Sequence, residues 1–371
     1  NLRIDEAART VQAARAPVAT KPAAPRDKRV AYDCGGLPRL EKGREYAAAA
    51  VITGAMKEFA RGGRVVSVDA DLATTSGLEA GVAWADMEKA FNVGVAESNM
   101  ACIGEAFAVL GYNTWVSTFC PFFDWRVIRR IAIGYQERLE AIERGDWLSA
   151  GHNLDLVFLA TAPDLETRTN GATHMGNDDA LVFDQLAHMK IVHISCPSQL
   201  LAFMKWVMDG ERGLVYARIP RAPVSVIYAA EHVFIFGKAS WLKRGNTACI
   251  VSSGRGVHES LAAAELLSGK GLLISVVDMA SWDEQCALEL YDGGQPLFIA
   301  EQNNGWILRR LTETLWRNGR TILPGRITAI NCLDRMGRPQ YVHSATYDQL
   351  TDHFGLNAEK LAATIERTVQ K

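Results

Sequence analysis

The chain has 371 residues, of which 48% are hydrophobic and 22% are charged, and its formal net charge is -2. This length predicts two domains, and the near-equal numbers of acids and bases exclude the basic surface that nucleic-acid binding requires. Seven scattered cysteines without a C-x-x-C pair argue against a disulfide framework or zinc site, so we expect a reducing cytoplasm. The lack of a membrane-length apolar run predicts a soluble protein.

The first predicted segments are an arm and a sheet domain. Residues 1–44 are rich in Ala, Pro, Arg and Lys, a composition typical of an arm or linker. From Tyr46 onward, β-rich runs alternate with stretches of helical period, and these runs are RVVSVDADL, NTWVSTFCPF, LDLVFLATAP, KIVHISCP and GLVYARIP. Continuous apolar runs are typical of parallel strands covered by helices on both faces. Residues 45–228 are therefore predicted to form a doubly wound, mainly parallel-sheet α/β domain.

A second, smaller domain is predicted for residues 229–371. The strand-like runs TACIVSSG, GLLISVVDM and PLFIAEQNN are each followed by a helical pattern. Pro220 and Pro223 lie between the two sets of strands, where they would deny a central strand its backbone donors, so the boundary is placed around residues 222–232. Neither half contains a G-x-G-x-x-G or P-loop motif, so the fold by itself predicts no function.

Glu97 is the first candidate functional residue. It ends the run FNVGVAE immediately before a predicted helix start. A purely structural interpretation is available, because Ser98 and Asn99 are good capping residues and an acid near a helix N-terminus is favoured by the helix dipole.

Aromatic residues and a loop histidine follow. The aromatic residues recur at every third position of STFCPFFDWR, and on a helix Phe119, Phe122 and Trp125 would share one face. The alternative is an ordinary core stripe.

His174 lies in TRTNGATHMGNDDA, a polar loop between a predicted strand and a helix that Asn177 or Asp178 would cap. Such strand-end loops commonly face ligands, although a solvated histidine is the alternative.

Three motifs resemble, in their order along the chain, the pyrimidine-binding domain of transketolases. They are GVAESNM, TF with the aromatic residues that follow it, and GATH. FGKASWLKRGNTACIVSSG and GLLISVVDMASWDEQ resemble the C-terminal domain of that family, so the resemblance covers about residues 45–371. It implies that Glu97 hydrogen-bonds a ring nitrogen of the aminopyrimidine of thiamine diphosphate, where a carboxylic proton favours the imino tautomer needed as internal base. Phe119, Phe122 and Trp125 match the aromatics that stack on this ring, with Trp125 where Tyr is commoner.

The resemblance also implies substrate-binding residues. His174 matches a histidine that reaches the substrate, and Arg218 falls where an arginine holds a substrate phosphate, with Arg221 as the fallback. Two positions depart from the family. Asn170 replaces an aspartate that reads sugar hydroxyls, and Ala162 stands where another active-site histidine is often found. Ordinary sugar-phosphate specificity is therefore in question.

The diphosphate-binding domain of the family is missing from this sequence. That domain carries a G-D-G motif and a later Asn that hold magnesium through oxygen ligands, and no G-D-G motif occurs here. The resemblance therefore implies that the metal ligands come from a partner chain, in an obligate α2β2-type assembly. The other possibility is that this sequence is part of a longer chain.

The leading functional expectation is a transketolase-like subunit that passes a two-carbon ketol unit from a ketose or ketose phosphate to an aldehyde. One alternative is a subunit of a 2-oxo acid dehydrogenase first component or of a related carboligase, which the departures at Ala162 and Asn170 favour. Another alternative is a non-catalytic regulatory partner subunit. The same departures support it, while the retained Glu97 and His174 oppose it.

Overall fold

The computed structural model describes residues 28–145, 153–167 and 170–370. In the first domain the strands are β1 (Glu45–Tyr46), β2 (Val65–Asp69), β3 (Ala90–Asn92), β4 (Asn113–Phe119), β5 (Leu156–Thr161), β6 (Met189–His193), β7 (Leu214–Ile219) and β8 (Val224–Ser225). Strands β2 to β7 form a six-stranded parallel sheet in the order β3-β2-β4-β5-β7-β6. Strands β1 and β8 pair antiparallel beside it.

Helices cover both faces of this sheet. They are α1 (Ala48–Phe59), α2 (Ala73–Ser76), α3 (Leu78–Ala85), α4 (Glu97–Val109), α5 (Trp125–Arg144), α6 (Asp179–Phe183) and α7 (Pro197–Met208). Every residue of β2, β4, β5 and β7 is buried. Successive side chains of these strands join different hydrophobic clusters, one shared with α4 and α5 and the other with α1 and α7. The predicted doubly wound α/β architecture is confirmed.

The second domain has a five-stranded, mainly parallel sheet. Its strands are β9 (Ser240–Lys243), β10 (Ala248–Ser252), β11 (Ile274–Asp278), β12 (Leu297–Ala300) and β13 (Ile327–Ile330), in the order β13-β12-β10-β11-β9. Only β9 pairs antiparallel with its neighbour. The helices are α8 (Gly256–Ser268), α9 (Glu284–Asp292), α10 (Trp306–Arg317), α11 (Tyr347–Phe354) and α12 (Ala358–Val369). The chain passes from one sheet to the other between residues 219 and 240, an interval that contains the predicted boundary.

A buried carboxylate joins the two domains. Asp278, at the end of β11, accepts hydrogen bonds from Ser195 Oγ at 2.7 Å, Gln199 Nε2 at 2.9 Å and Tyr228 Oη at 2.7 Å. Burial raises the pKa of Asp278 to about 6, although these three donors act to lower it. The domains thus share a polar contact as well as apolar surface.

Part of the predicted N-terminal arm packs on the first domain. The backbone N–H of Val30 donates to Met208 O at 2.8 Å, and Lys28 Nζ donates to Ala108 O at 2.6 Å. Val30 and Leu37 are buried in the same cluster as α1 and α7. Residues 1–27 of the arm lie outside the described part of the chain. Across the ranges that are described, no helix is both long and apolar enough to span a membrane.

Candidate functional site

The aromatic residues lie at the carboxyl end of β4. Phe119 is the last residue of this strand, Phe122 belongs to a 3-10 turn at Cys120–Phe122, and Trp125 is the first residue of α5. The expected single helix face is therefore wrong, because a strand, a turn with Pro121 in its first positions and a new helix share the segment. The rings of Phe119 and Phe122 still meet, with centroids 5.8 Å apart, while Trp125 is 43% exposed.

Glu97 is the first residue of α4 and is half-buried. The N-cap position is Ala96, without a side-chain cap, so Ser98 and Asn99 do not cap this helix. Ser98 Oγ instead donates to Asp124 Oδ2 at 2.7 Å, and Asp124 caps α5 by accepting from the backbone N–H of Arg126. This hydrogen bond ties the start of α4 to the start of α5, directly after the aromatic turn.

Asp124 is held as a carboxylate. Hydrogen bonds from the side chain of Arg126 and then from Ser98 stabilise its charged form, which places the pKa of Asp124 well below its usual range. Its position at the N-terminus of α5 also suits a negative charge. Glu97 therefore lies near a fixed anionic cap, on the edge of the sheet where the aromatic rings emerge.

His174 lies against both phenylalanine rings. It ends a 3-10 turn at Ala172–His174, and its ring centroid is 5.0 Å from that of Phe122 and 6.0 Å from that of Phe119. Its Nδ1 is 2.8 Å from Thr173 Oγ1, which fixes the orientation of the half-buried imidazole. The structure thus brings together three side chains that the sequence predicted for the site.

Arg218 does not reach the aromatic pair and His174. Its side chain is 1% exposed and forms ion pairs with Asp164 at 2.8 Å and Asp179 at 2.9 Å. Its Nη1 lies 2.7 Å from His193 Nδ1, and its Nη2 donates to Gly176 O at 2.5 Å. Burial acts to lower the pKa of Arg218, but the two carboxylates outweigh it and raise that pKa well above its usual range. An enclosed, paired guanidinium is unsuited to the phosphate-binding role predicted for Arg218.

Arg221 is the arginine that lies beside the aromatic pair. Its guanidinium is centred 4.8 Å from the Phe119 ring, and its Nη1 donates to Thr167 O at 3.2 Å. Its backbone N–H donates to Glu166 Oε2 at 2.6 Å. The fallback assignment of the sequence analysis is therefore the one whose position suits an anionic substrate group.

The two departures from the family differ in environment. Asn170 is exposed and precedes Gly171, which has a φ of 82°. Ala162 is fully buried directly after β5 and has a φ of 55°, a left-handed conformation that is uncommon for alanine. An imidazole at position 162 would have to displace packed neighbours, whereas an aspartate at position 170 would meet solvent.

Sequence reasoning missed Asp164 and Glu166, two buried carboxylates in the segment that follows β5. The available signal was APDLE, which places two acids directly after a strongly apolar strand. Acids in such a position are expected to have partners when buried. Glu166 pairs with Arg255 of the second domain at 2.7 Å.

The site suits the aminopyrimidine half of thiamine diphosphate. Phe122 is half-buried and offers an apolar face for a planar heteroaromatic ring, while Phe119 is 3% exposed and packs against Phe122. Glu97 offers a carboxyl group at the same edge of the sheet. An aminopyrimidine therefore fits these residues. Among the residues that the structure describes, no three His, Cys, Asp or Glu side chains are grouped so that they could hold a metal ion.

Family models match both halves of the chain. The model described as "Transketolase, pyrimidine binding domain" matches residues 45–225, and the model described as "Transketolase, C-terminal domain" matches residues 237–361. The chain is 26% identical over 313 residues to the 6-deoxy-6-sulfo-D-fructose transketolase subunit of Clostridium sp., covering 83% of this chain and 89% of that protein. It is also 26% identical over 296 residues to a transketolase C-terminal section of Methanocaldococcus jannaschii, covering 76% and 84%.

Solved structures show the same fold. A split gene transketolase, described as an inactive beta4 tetramer, superposes with a TM-score of 0.66 at 23% identity, covering 87% of this chain and 97% of that chain. The transketolase of Campylobacter jejuni superposes with a TM-score of 0.68 at 16% identity, covering 91% of this chain and 48% of that chain. The chain thus spans about half the length of the latter protein.

Proposed function

The chain belongs to the transketolase family, and from this membership we propose that it is the subunit of a split transketolase that holds the pyrimidine half of thiamine diphosphate. The diphosphate-binding domain and the magnesium ligands would come from a partner chain carrying a G-D-G motif, in an α2β2-type assembly. When bound, thiamine diphosphate supplies a carbon nucleophile and an electron sink for breaking the bond beside a ketone carbonyl. The transferred group would be a two-carbon ketol unit, and the acceptor an aldehyde.

The residues of this chain take distinct roles in the proposal. Glu97 holds a proton on a ring nitrogen of the cofactor, and Phe119 and Phe122 bind the ring by stacking and exclude water from it. Trp125, exposed at the start of α5, would supply a third aromatic surface to the ring. His174 lies against both phenylalanines and moves a proton to or from a substrate oxygen.

The observation that carries the proposal is the meeting of His174, Phe119 and Phe122 at the carboxyl end of β4, with Glu97 beginning the neighbouring helix. These residues come from separate sequence segments, and open parallel sheets bind ligands at this edge. A regulatory subunit without catalytic residues would not require the arrangement. The retention of these four residues in this arrangement therefore favours a catalytic subunit.

We further propose a ketose with an anionic end group as the donor. Arg221 lies 4.8 Å from the Phe119 ring and carries the fork of donors that suits a phosphate or a sulfonate. The related Clostridium protein is named for a sulfonated fructose. Asn170 lies on the His174 loop, where its amide would hydrogen-bond a sugar hydroxyl without adding charge.

A second candidate is decarboxylation and transfer from a 2-oxo acid. Ala162 offers no polar group where the family often has an active-site histidine, and its burial closes that position. A small substrate such as pyruvate would not need such a contact. Activity measurements with a ketose and with pyruvate separate the two candidates.

The test is a binding and activity series with the intact chain. Thiamine diphosphate and magnesium are titrated by calorimetry into this chain alone and into a mixture with a chain carrying the G-D-G domain. Ketol transfer to an aldehyde is then assayed with a ketose phosphate and a ketose sulfonate as donors, and release of carbon dioxide is assayed with pyruvate. We expect tight binding and ketose cleavage only in the mixture. Turnover of pyruvate alone would favour the second candidate, and absence of cofactor binding in both settings would favour a regulatory subunit.

A further inference from the structure

The segment that carries His174 lies between the two domains. We call residues 162–167 and 170–178 the reaction loop. Its first-domain contacts include Arg218, which donates to Gly176 O and pairs with Asp164. The backbone N–H of Asp164 also donates to Gly176 O at 2.6 Å, which closes the base of the loop.

The apolar side chains of this loop pack into the second domain. Leu165 and Met175 are 0% and 3% exposed, and both belong to the cluster built from β10, β12, α8 and α12. The backbone N–H of Asn304 donates to Asn177 O at 2.8 Å. At Gly171, a Cβ would lie 2.6 Å from Ser344 Oγ, so the second domain also closely approaches the turn that leads to His174.

An ion pair also joins the reaction loop to the second domain. Arg255 Nη1 lies 2.7 Å from Glu166 Oε1, and the Glu166 side chain is 1% exposed. The Arg255 guanidinium is itself held 3.6 Å from the centre of the Tyr347 ring, whose hydroxyl accepts from Gln302 Nε2 at 2.6 Å. The second oxygen of Glu166 accepts from the backbone N–H of Arg221. Glu166 therefore connects a fixed cation of the second domain to the segment that bears Arg221.

We infer that Arg255 is a positioning residue of the second domain, which acts through Glu166 to hold the reaction loop so that His174 stays against the aromatic pair. This inference rests on the proposed function, because it takes His174 as the group that meets the substrate. Arg255 touches neither the aromatic pair nor His174 in this arrangement. The second domain thereby gains a role in turnover without supplying a reacting group.

The geometry predicts a specific pattern of effects. Loss of Arg255 leaves Glu166 as a buried carboxylate without its cation, so Glu166 must take up a proton or the loop must move to solvate it, and either change removes the ion pair that ties the loop to the second domain. Displacement of a reacting group by about 1 Å can lower a rate by about 10²-fold. Glu97, Phe119 and Phe122 lie outside the loop, so cofactor binding should be unchanged.

The experiment compares Arg255→Ala, Arg255→Lys and Glu166→Gln in the complete assembly with its partner chain. We expect Arg255→Ala to lower kcat by about 10- to 100-fold, with the affinity for thiamine diphosphate unchanged and partial recovery in Arg255→Lys. Amide hydrogen exchange in peptides from residues 162–178 should rise in Arg255→Ala. The matched control is Arg317→Ala, which removes an exposed second-domain ion pair with Glu284 and should change neither measurement.

The double variant Arg255→Ala/Glu166→Gln gives a second test. If the two residues act as one unit, its kcat should be no lower than that of Arg255→Ala. Additive losses, unchanged loop exchange in Arg255→Ala, or an equal loss of cofactor affinity would each overturn the inference. If the wild-type assembly transfers no ketol unit, the proposed function fails, while the exchange measurement still decides whether Arg255 holds the loop.

Discussion

Two arginines three residues apart have opposite surroundings in this protein. Arg218 is enclosed by Asp164 and Asp179, and Arg221 lies over Phe119. The carboxylates that bind Arg218 are 54 and 39 residues away in the chain, so sequence spacing could not separate the two roles. Their assignment depends on tertiary contacts between strand ends, which a local pattern does not encode.

Arg218→Met tests the structural role of Arg218. Because two buried carboxylates lose their shared cation, we expect the free energy of unfolding to fall by about 3–5 kcal/mol. Denaturant unfolding followed by circular dichroism measures this change. Arg338→Met, which breaks an exposed pair with Asp334, is the control and should change stability by less than about 1 kcal/mol. A stable Arg218→Met protein that had lost only affinity for phosphorylated substrates would restore the phosphate-binding assignment.

Glu97→Gln tests the proposed proton contact with the cofactor. The amide keeps the size of the side chain but cannot hold the acidic proton, so we expect folding and cofactor binding to persist while turnover falls by about 10²-fold or more. Stopped-flow or steady-state ketol-transfer assays of the assembled enzyme measure this loss. Glu359→Gln, at an exposed position of α12, is the control. Equal turnover in Glu97→Gln and wild type would remove Glu97 from the mechanism.

The turn between β4 and α5 is the element that arranges the site. It delivers Phe119 from a buried strand, Phe122 from a 3-10 turn and Asp124 as the cap of a 20-residue helix. A spacing of three was compatible with one helix face, but Pro121 and the preceding apolar run produce a change of structure inside the motif. The strands themselves were predictable because fully buried parallel strands are continuously apolar.

Asp124→Ala should loosen this element. The variant loses the N-cap hydrogen bond to Arg126 and the bond from Ser98, and we expect the free energy of unfolding to fall by about 1 kcal/mol, with a range of about 0.5–2. Chemical denaturation of the isolated chain provides the measurement. Asp124→Asn keeps a good capping side chain and should stay close to wild type. If both variants lost the same stability, the charge of Asp124 rather than its cap would be responsible.

At the scale of the whole molecule, the carboxylate that joins the domains predicts a pH dependence. The pKa of Asp278 is raised from its usual 3.8 to about 6, so between these values the folded chain binds the proton more tightly than the unfolded chain. The contribution of this group to stability therefore decreases as pH rises from 3.8 to 6 and is constant above that range. The total decrease is on the order of 2–3 kcal/mol.

Asp278→Asn removes this titration. In wild type, the titration of Asp278 lowers the free energy of unfolding at pH 7 relative to pH 4.5. In Asp278→Asn we therefore expect the value at pH 7 minus the value at pH 4.5 to be greater than in wild type, by on the order of 1–2 kcal/mol. Urea unfolding at both pH values measures the difference, which is informative even if the variant is less stable at each pH. Asp352→Asn, at an exposed position of the second domain, should leave the wild-type difference in place. An unchanged difference in Asp278→Asn would assign the pH dependence to other groups.

The packing of Leu165 and Met175 into the second domain has a consequence for the order in which the molecule is made. Domains generally fold as units during synthesis, with the N-terminal one first. The first sheet is complete once residue 219 has emerged, but the second-domain surfaces that receive Leu165, Glu166 and Gly171 extend into α12, which ends at Val369. A nascent chain thus acquires Glu97 and both phenylalanine rings more than one hundred residues before His174 is fixed. Translation that stops within the second domain would release a protein with a folded first sheet and an unfinished site.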